Sequence, residues 1–227
     1  MKILLWNVEW ATLKNTRGKE IQRIYRDLSP DMACITEGYL QFWNEEGNVI
    51  SSIDDYGYKI TEGRRKVILV STDEWSDVSN VGSDDLPNGR YCYGRSHDLN
   101  IHGVCIPWKD AHVRSGQKNR EPWEDHDRYL DALKPLIKDS HEKTIVLGDY
   151  NQRIPRKWSP KTVYEKLLET FEPNFTVSTT GIIKEMDKQA IDHFAHTHDM
   201  EVKSITAINN YVGTLCLSDH FGFVIEI

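Results

Sequence analysis

Ile145-Val-Leu-Gly-Asp-Tyr-Asn-Gln-Arg153 is the stretch whose reading decides the fold. Ile145, Val146 and Leu147 form a short apolar run behind Thr144, which reads as a buried strand entered from a preceding helix. Gly148 ends that run, where a backbone turns sharply or comes close to another group. Asp149 and Asn151 stand two apart. Residues i and i+2 of an extended chain share a face, so a carboxylate and an amide leave the strand end side by side. The carboxylate can accept a proton or bind a hard cation, and the amide can donate to phosphate without adding charge. The same residues also spell an ordinary turn, because Gly, Asp and Asn are turn formers. The choice between turn and site rests on the other strand ends.

Toward the N-terminus, Lys2 to Trp6 reads as a first strand, with Asn7 and Glu9 at its end. Asn15 or Thr16 caps a helix running to about Leu28, with Ile21, Ile24, Tyr25 and Leu28 at i, i+3, i+4, i+7. Met32 to Ile35 is a second buried strand, and Glu37 stands just past it. Strand, helix, strand in so short a span implies a parallel crossover, with Asn7 and Glu37 emerging at one sheet edge. That carboxyl edge is where open α/β sheets build their sites.

Residues 40 to 56 read as a loop. Tyr58 to Thr61, Lys66 to Ser71, Gly89 to Arg95 and Leu99 to Ile106 read as strands without intervening helices, so that part is antiparallel. Pro107 to Glu121 is a polar loop, and about Pro122 to Lys138 a helix, kinked by Pro135. Ser159-Pro160 starts a third helix through Val163, Leu167 and Phe171. Ala190 to Phe194, Val202 to Ile208 and Phe221 to Ile227 close the chain as strands. With no repeat, low-complexity tract or linker, residues 1–227 are expected to form one domain.

The 227 residues are 39% hydrophobic, enough for a sizeable core. The apolar stretch at the N-terminus is too short for a signal peptide, and no run reaches membrane-helix length. Four scattered cysteines without a Cys-x-x-Cys pair point to reduced thiols and a cytoplasmic protein. A net charge of -7 argues against a basic coat for nucleic acid. It leaves open an enzyme that meets phosphate through a bound metal, since the ion inverts the local charge.

Asn7, Glu37, Asp149, Asn151 and Asp192 all fall at strand ends, and Ser218-Asp219-His220 precedes the last strand. Four ordered blocks carry a resemblance. Leu5-Trp-Asn7-Val8, Asp31-Met-Ala-Cys-Ile-Thr-Glu37, Gly148-Asp-Tyr-Asn151, and Ile191-Asp-His193 with Ser218-Asp-His220 resemble the endonuclease/exonuclease/phosphatase superfamily across essentially the whole chain. The resemblance implies an α/β (α+β) four-layer sandwich of two packed mixed sheets flanked by helices. It implies Mg²⁺- or Mn²⁺-dependent hydrolysis of a phosphodiester, most simply by a nuclease on DNA or RNA. By position, Glu37 is implied as the main metal ligand, with Asn7 and Asp219 near it. Asp149 would orient or deprotonate water, Asn151 would donate to phosphate or fix that water, and His220, oriented by Asp192, would bind the scissile phosphate.

Three departures from the family pattern stand out. Thr36 replaces the usual Gln before the metal-binding Glu. The middle catalytic position falls in Cys105-Ile-Pro-Trp108, where no residue suits it, leaving His102 or His112 as substitutes. The span from Asp149 to Asp192 is short, with little room for recognition loops. Trp108, Lys109, His112 and Arg153 are the candidate substrate contacts, Trp108 by stacking on a base. A small-molecule phosphatase or phosphodiesterase uses the same groups and suits the acidic balance. A non-catalytic binding module is a third class, disfavoured because a scaffold has no need for seven converging polar groups.

Overall fold

The structure is a computed structural model, and it describes residues 1–140, 142–172 and 174–227. The chain begins β1 (Lys2–Asn7), α1 (Thr16–Leu28), β2 (Met32–Tyr39), α2 (Leu40–Trp43), β3 (Asn48–Ser51) and β4 (Arg64–Ser71). It continues β5 (Ser76–Ser79), β6 (Tyr91–Ser96), β7 (Leu99–Cys105), α3 (Glu124–Ile137) and β8 (Thr144–Asp149). Then come α4 (Lys161–Phe171), β9 (Phe175–Val177), β10 (Asp192–Thr197) and β11 (Ser204–Ile208). A small hairpin of β12 (Tyr211–Val212) and β13 (Leu215–Cys216) precedes the last strand, β14 (Gly222–Glu226).

Two six-stranded mixed sheets form, ordered β11-β14-β1-β2-β4-β3 and β5-β6-β7-β8-β10-β9. Each has one parallel pair at its centre: β1 with β2, crossed over by α1, and β7 with β8, crossed over by α3. The halves therefore repeat one plan that no sequence repeat announces. Asn15 is the cap of α1, its side chain accepting from Gly18 N. Ser159 does not cap α4, which starts behind Pro160 without a side-chain cap.

Period-2 patterning explains the layers. Ile3 and Leu5 of one sheet face Ile101, Ile145, Leu147 and Phe194 of the other in a single apolar core. The opposite face of the second sheet carries Val104 and Val146 under α3 and α4. Ile21 and Tyr25 of α1 cover Leu4, Trp6 and Ile35 on the outside of the first sheet. The result is helix, sheet, sheet, helix. Differences from expectation are local. Tyr58 to Thr61 is loop, and Asn48–Ser51, within the expected loop, is a strand on the edge of β4. Edge strands this short and half-exposed carry little periodic signal.

Gly148 has φ +145°, and a Cβ there would lie 1.8 Å from the Val104 carbonyl oxygen. The close approach that its place in the sequence suggests is therefore to the backbone of β7. Gly148→Ala is expected to cost about 2 kcal/mol or more through this clash, read as a lowered urea midpoint at unchanged slope.

Candidate active site

The inner stripes of the two sheets run out into polar groups at one rim. Ile3 and Leu5 are followed on their face by Asn7, and Ile145 and Leu147 by Asp149. Asp192 pairs directly with Asp149 across β10 and β8. Glu37 has the wrong parity to join them, since Met32, Cys34 and Thr36 face inward. A left-handed φ of 52° at Glu37 breaks the alternation, and its carbonyl turns to accept from Trp10 N. The site therefore draws on both sheets at their carboxyl edge.

The groups are tightly bonded. Asn7 Nδ2 donates to Asp149 Oδ2 at 3.2 Å, joining the sheets, while Asn7 Oδ1 accepts from Glu9 N. Asn151 N donates to Asp149 Oδ1 at 2.8 Å, an Asx turn with Asn151 at φ 53°. Turn and site are thus the same object. Asp149 and Asn151 meet through that turn, not by strand alternation, since β8 ends at Asp149. Asn151 Nδ2 spends its two hydrogens on Ile106 O and Asp149 Oδ2, so it is left to offer only its oxygen to a substrate. Beside them His220 Nδ1 donates to Asp192 Oδ2 at 2.5 Å. Asp219, mostly exposed, lies 3.6 Å from His220 Nε2.

The electrostatics divide the acids from the base. Burial, then the charge of Asp192, pushes Asp149 up to about 7, against the pull of His220. Burial alone would lower His220, but the charge and hydrogen bond of Asp192, with Asp149 and Asp219, push it up to about 10. His220 is therefore an imidazolium at neutral pH, with its Nε2 edge free to donate.

Asp149, Asp192 and His220 offer ligand atoms within 4.8 Å of one another. Glu37, the main metal ligand implied by the sequence, is not part of that cluster. Glu37 lines the same cavity as Asn7 and Asp149, and oxygen donors of this kind suit a hard cation. The buried Asp192 Oδ1 has no hydrogen-bond partner, which marks unmet demand for positive charge or a donor at this rim. At Glu37 a cation is already in place: Lys66 Nζ is 2.5 Å from Oε1. Lys66 also stands over Trp10 and Tyr56, 5.1 and 5.3 Å from their ring centroids.

Asn7, Glu37, Lys66, Asp149, Asn151, Asp219 and His220 line a cavity of about 650 Å³. Tyr56, Tyr58, Lys59, Arg64 and Arg90 line it too, none of which stood out in the sequence. Arg90 is 3% exposed, makes one long bond to Cys105 O at 3.5 Å, and has no ion pair among the described residues. It precedes β6 directly beside Cys105, whose backbone N donates to its carbonyl. The only sequence signal for it was its place after the Pro87-Asn88-Gly89 turn. Cys105 does not fill the middle catalytic position, because burial pushes its thiol up to about 12.

His102 is excluded by parity: it points to the outer face, against Tyr91 and Tyr93, where burial lowers it to about 4. His112 lies outside the cavity as well. It packs on Tyr58 at 4.6 Å, its backbone N donates to the Tyr58 hydroxyl, and burial holds it below its usual value. Trp108 lines the cavity, and Lys109 and Arg153 lie in an adjoining groove. Thr36 is fully buried with an unpartnered hydroxyl, so it does not brace Glu37. All four cysteines are free.

No protein-family model matches the chain, and no curated protein matches its sequence. Solved structures match its fold. A 3'-5' exonuclease (NExo) from Neisseria meningitidis is 19% identical with TM-score 0.75, covering 100% of this chain and 99% of that one. The 3' phosphatase NExo from Neisseria bound to product DNA hairpin gives 18% and 0.74 over the same shares. An AP endonuclease from Archaeoglobus fulgidus gives 16% and 0.71, again over 100% and 99%. The chain has the fold of these enzymes, the four-layer α/β sandwich expected from its sequence.

Two outcomes follow. In a histidine-selective NMR titration, the His220 ring should stay charged well above pH 8 and lose its proton near 10. Its folded value is raised, so the stability it contributes is full below the unfolded value of about 6.5 and lost as pH rises through the folded one. Asp192→Asn should drop the titration by several units, and an unmoved curve would refute the pairing. Lys66→Met should tighten Mn²⁺ binding roughly tenfold or more, about 1.4 kcal/mol, by freeing Glu37. Titration calorimetry of the two proteins reads this directly.

Proposed function

We propose that the chain is a one-domain member of the endonuclease/exonuclease/phosphatase superfamily that hydrolyses phosphodiester bonds, as a nuclease, with Mg²⁺ or Mn²⁺. The observation that carries this is the opposition of Asp149 to the Asp192–His220 pair across one rim, 4.8 Å or less between their reactive atoms. A base for water and a cationic donor for phosphate are the two groups that P–O cleavage demands of side chains. The four ordered sequence blocks and the shared fold support the same reading, as do the activities of the three structurally similar enzymes.

Asp149 is held by Asn7 and Asn151 so that one carboxylate face meets the cavity. It takes a proton from the attacking water. His220 donates from Nε2 to a phosphate oxygen, and Asp192 keeps it charged and oriented. Asn151 aims Asp149. Arg90, buried without a carboxylate, is placed to meet the phosphate's negative charge. A divalent cation held by Glu37, with Asn7 and Asp149 near, would neutralise phosphate oxygens and lower the cost of ionising Asp149. Lys66, paired with Glu37, would compete with such a cation for its carboxylate. Asp219, exposed on the same cavity, would add a further carboxylate for that cation. The four free thiols suit a cytoplasmic setting, and no helix among the described residues can cross a membrane.

Purified protein should cut single-stranded and duplex DNA, RNA or a small chromogenic phosphodiester with Mg²⁺ and stop with chelator. Asp149→Asn and His220→Ala should each lower kcat by about a hundredfold or more. Full turnover in either variant would remove the mechanism. Preference for the small ester over every polynucleotide would make it a small-molecule phosphodiesterase, for which a cavity of this size has room.

A further inference from the structure

A second groove of about 490 Å³ opens beside the catalytic cavity and shares Trp108 and Asn151 with it. Three tryptophans line it: Trp108, Trp123 and Trp158. Trp158 is 75% exposed and Trp108 44%, and Trp158 is the most exposed of the large apolar side chains. Leaving an indole in water is unfavourable by the area it fails to bury. Here two such rings stand along one channel.

The charged residues that line the groove, Lys109 and Arg153, are both basic, Lys109 also lying 3.7 Å from Asp110. Arg153, Arg156 and Lys157 lie in the loop between β8 and α4, and none has an ion pair among the described residues. Lys157 Nζ sits 5.4 Å from the Trp158 ring centroid, and Arg156 is tied to Ser159 O. Lys109 adds a further ammonium at the groove's other wall. No Asp or Glu occurs from Tyr150 to Tyr164, on a chain of net charge -7. Local positive charge against that background points to an anion, and exposed rings between cations point to a chain of phosphates with flat faces attached.

We propose that this groove binds a single-stranded nucleic-acid segment, unstacked bases resting on Trp108 and Trp158 and the phosphates passing Arg153 and Lys157. The inference rests on the phosphodiesterase reading for the strand's continuation: Trp108 and Asn151 border both spaces, so a strand leaving the catalytic cavity enters the groove directly. A duplex keeps its base faces covered and has nothing to offer Trp158. The substrate class is therefore a polynucleotide with an unpaired segment next to the cleaved phosphate.

The test is fluorescence anisotropy of labelled oligothymidylate and of a blunt duplex of equal length, with native protein in chelator so that nothing is cut. The single strand should bind more tightly. Trp158→Ala should weaken single-strand binding by about tenfold or more, the range that loss of one base–aromatic stack produces. Trp158→Phe should restore most of it, and Arg153→Ala should flatten the salt dependence. Equal single-strand affinity in native protein and Trp158→Ala, or equal binding of the duplex, would overturn the proposal. Turnover of a small chromogenic phosphodiester by native protein tests the catalytic reading by itself. Its absence with Trp158-dependent strand binding intact would fail that reading and uphold the groove.

Discussion

One apolar layer holds the two sheets together, and the polar groups of the candidate site are the end of that same layer. Ile3 and Leu5 pack against Ile145, Leu147 and Phe194 with no exposed surface. Alternation then requires the next residue on each inner face to point between the sheets as well. Those next residues are Asn7, Asp149 and Asp192. Packing and chemistry are thus coupled through strand register. A one-residue slip of β8 would turn Leu147 and Asp149 out of the layer together. The hydrogen bond from Asn7 to Asp149 closes the rim once the layer has formed.

Placing three carboxylates at such a rim is costly, and the structure answers with cations. Asp192 is matched by His220, Glu37 by Lys66, while Asp149 is left with amide donors and a value near 7. The asymmetry divides the roles. The pair with a fixed proton can donate, and the carboxylate poised between states can accept. Lys66 pairs with Glu37 and stands over the rings of Trp10 and Tyr56. The orphaned Asp192 Oδ1 shows that this compensation is incomplete.

Legibility varied with the kind of evidence each residue carries. Strands with long apolar runs, such as Lys2–Asn7 and Thr144–Asp149, declare themselves by period. The edge strands Asn48–Ser51 and Ser76–Ser79 do not, because half-exposed edges need no apolar alternation. His102 and Cys105 lie close in sequence, yet they face opposite sides of β7. His112 was attractive by residue type, but it is spent on packing and positioning Tyr58. Lys66 and Arg90 were invisible because their meaning lies wholly in what stands next to them.

The sequence by itself determined the first parallel crossover, the strand-end positions of Asn7, Asp149 and Asp192, and the ordered blocks that resemble a known superfamily. Those features are local: apolar period, turn chemistry and spacing are written in neighbouring residues. Only the tertiary structure decided which of them meet. Asn7 and Asp149 are distant in the chain and share a hydrogen bond. Glu37 reaches the rim by a left-handed backbone that its own sequence does not dictate. Much of the basic and aromatic wall, Tyr56, Tyr58, Lys59, Arg90 and Trp108, comes from loops with no period at all. Long-range pairing of two sheets is a property of packing, and no window of the chain contains it.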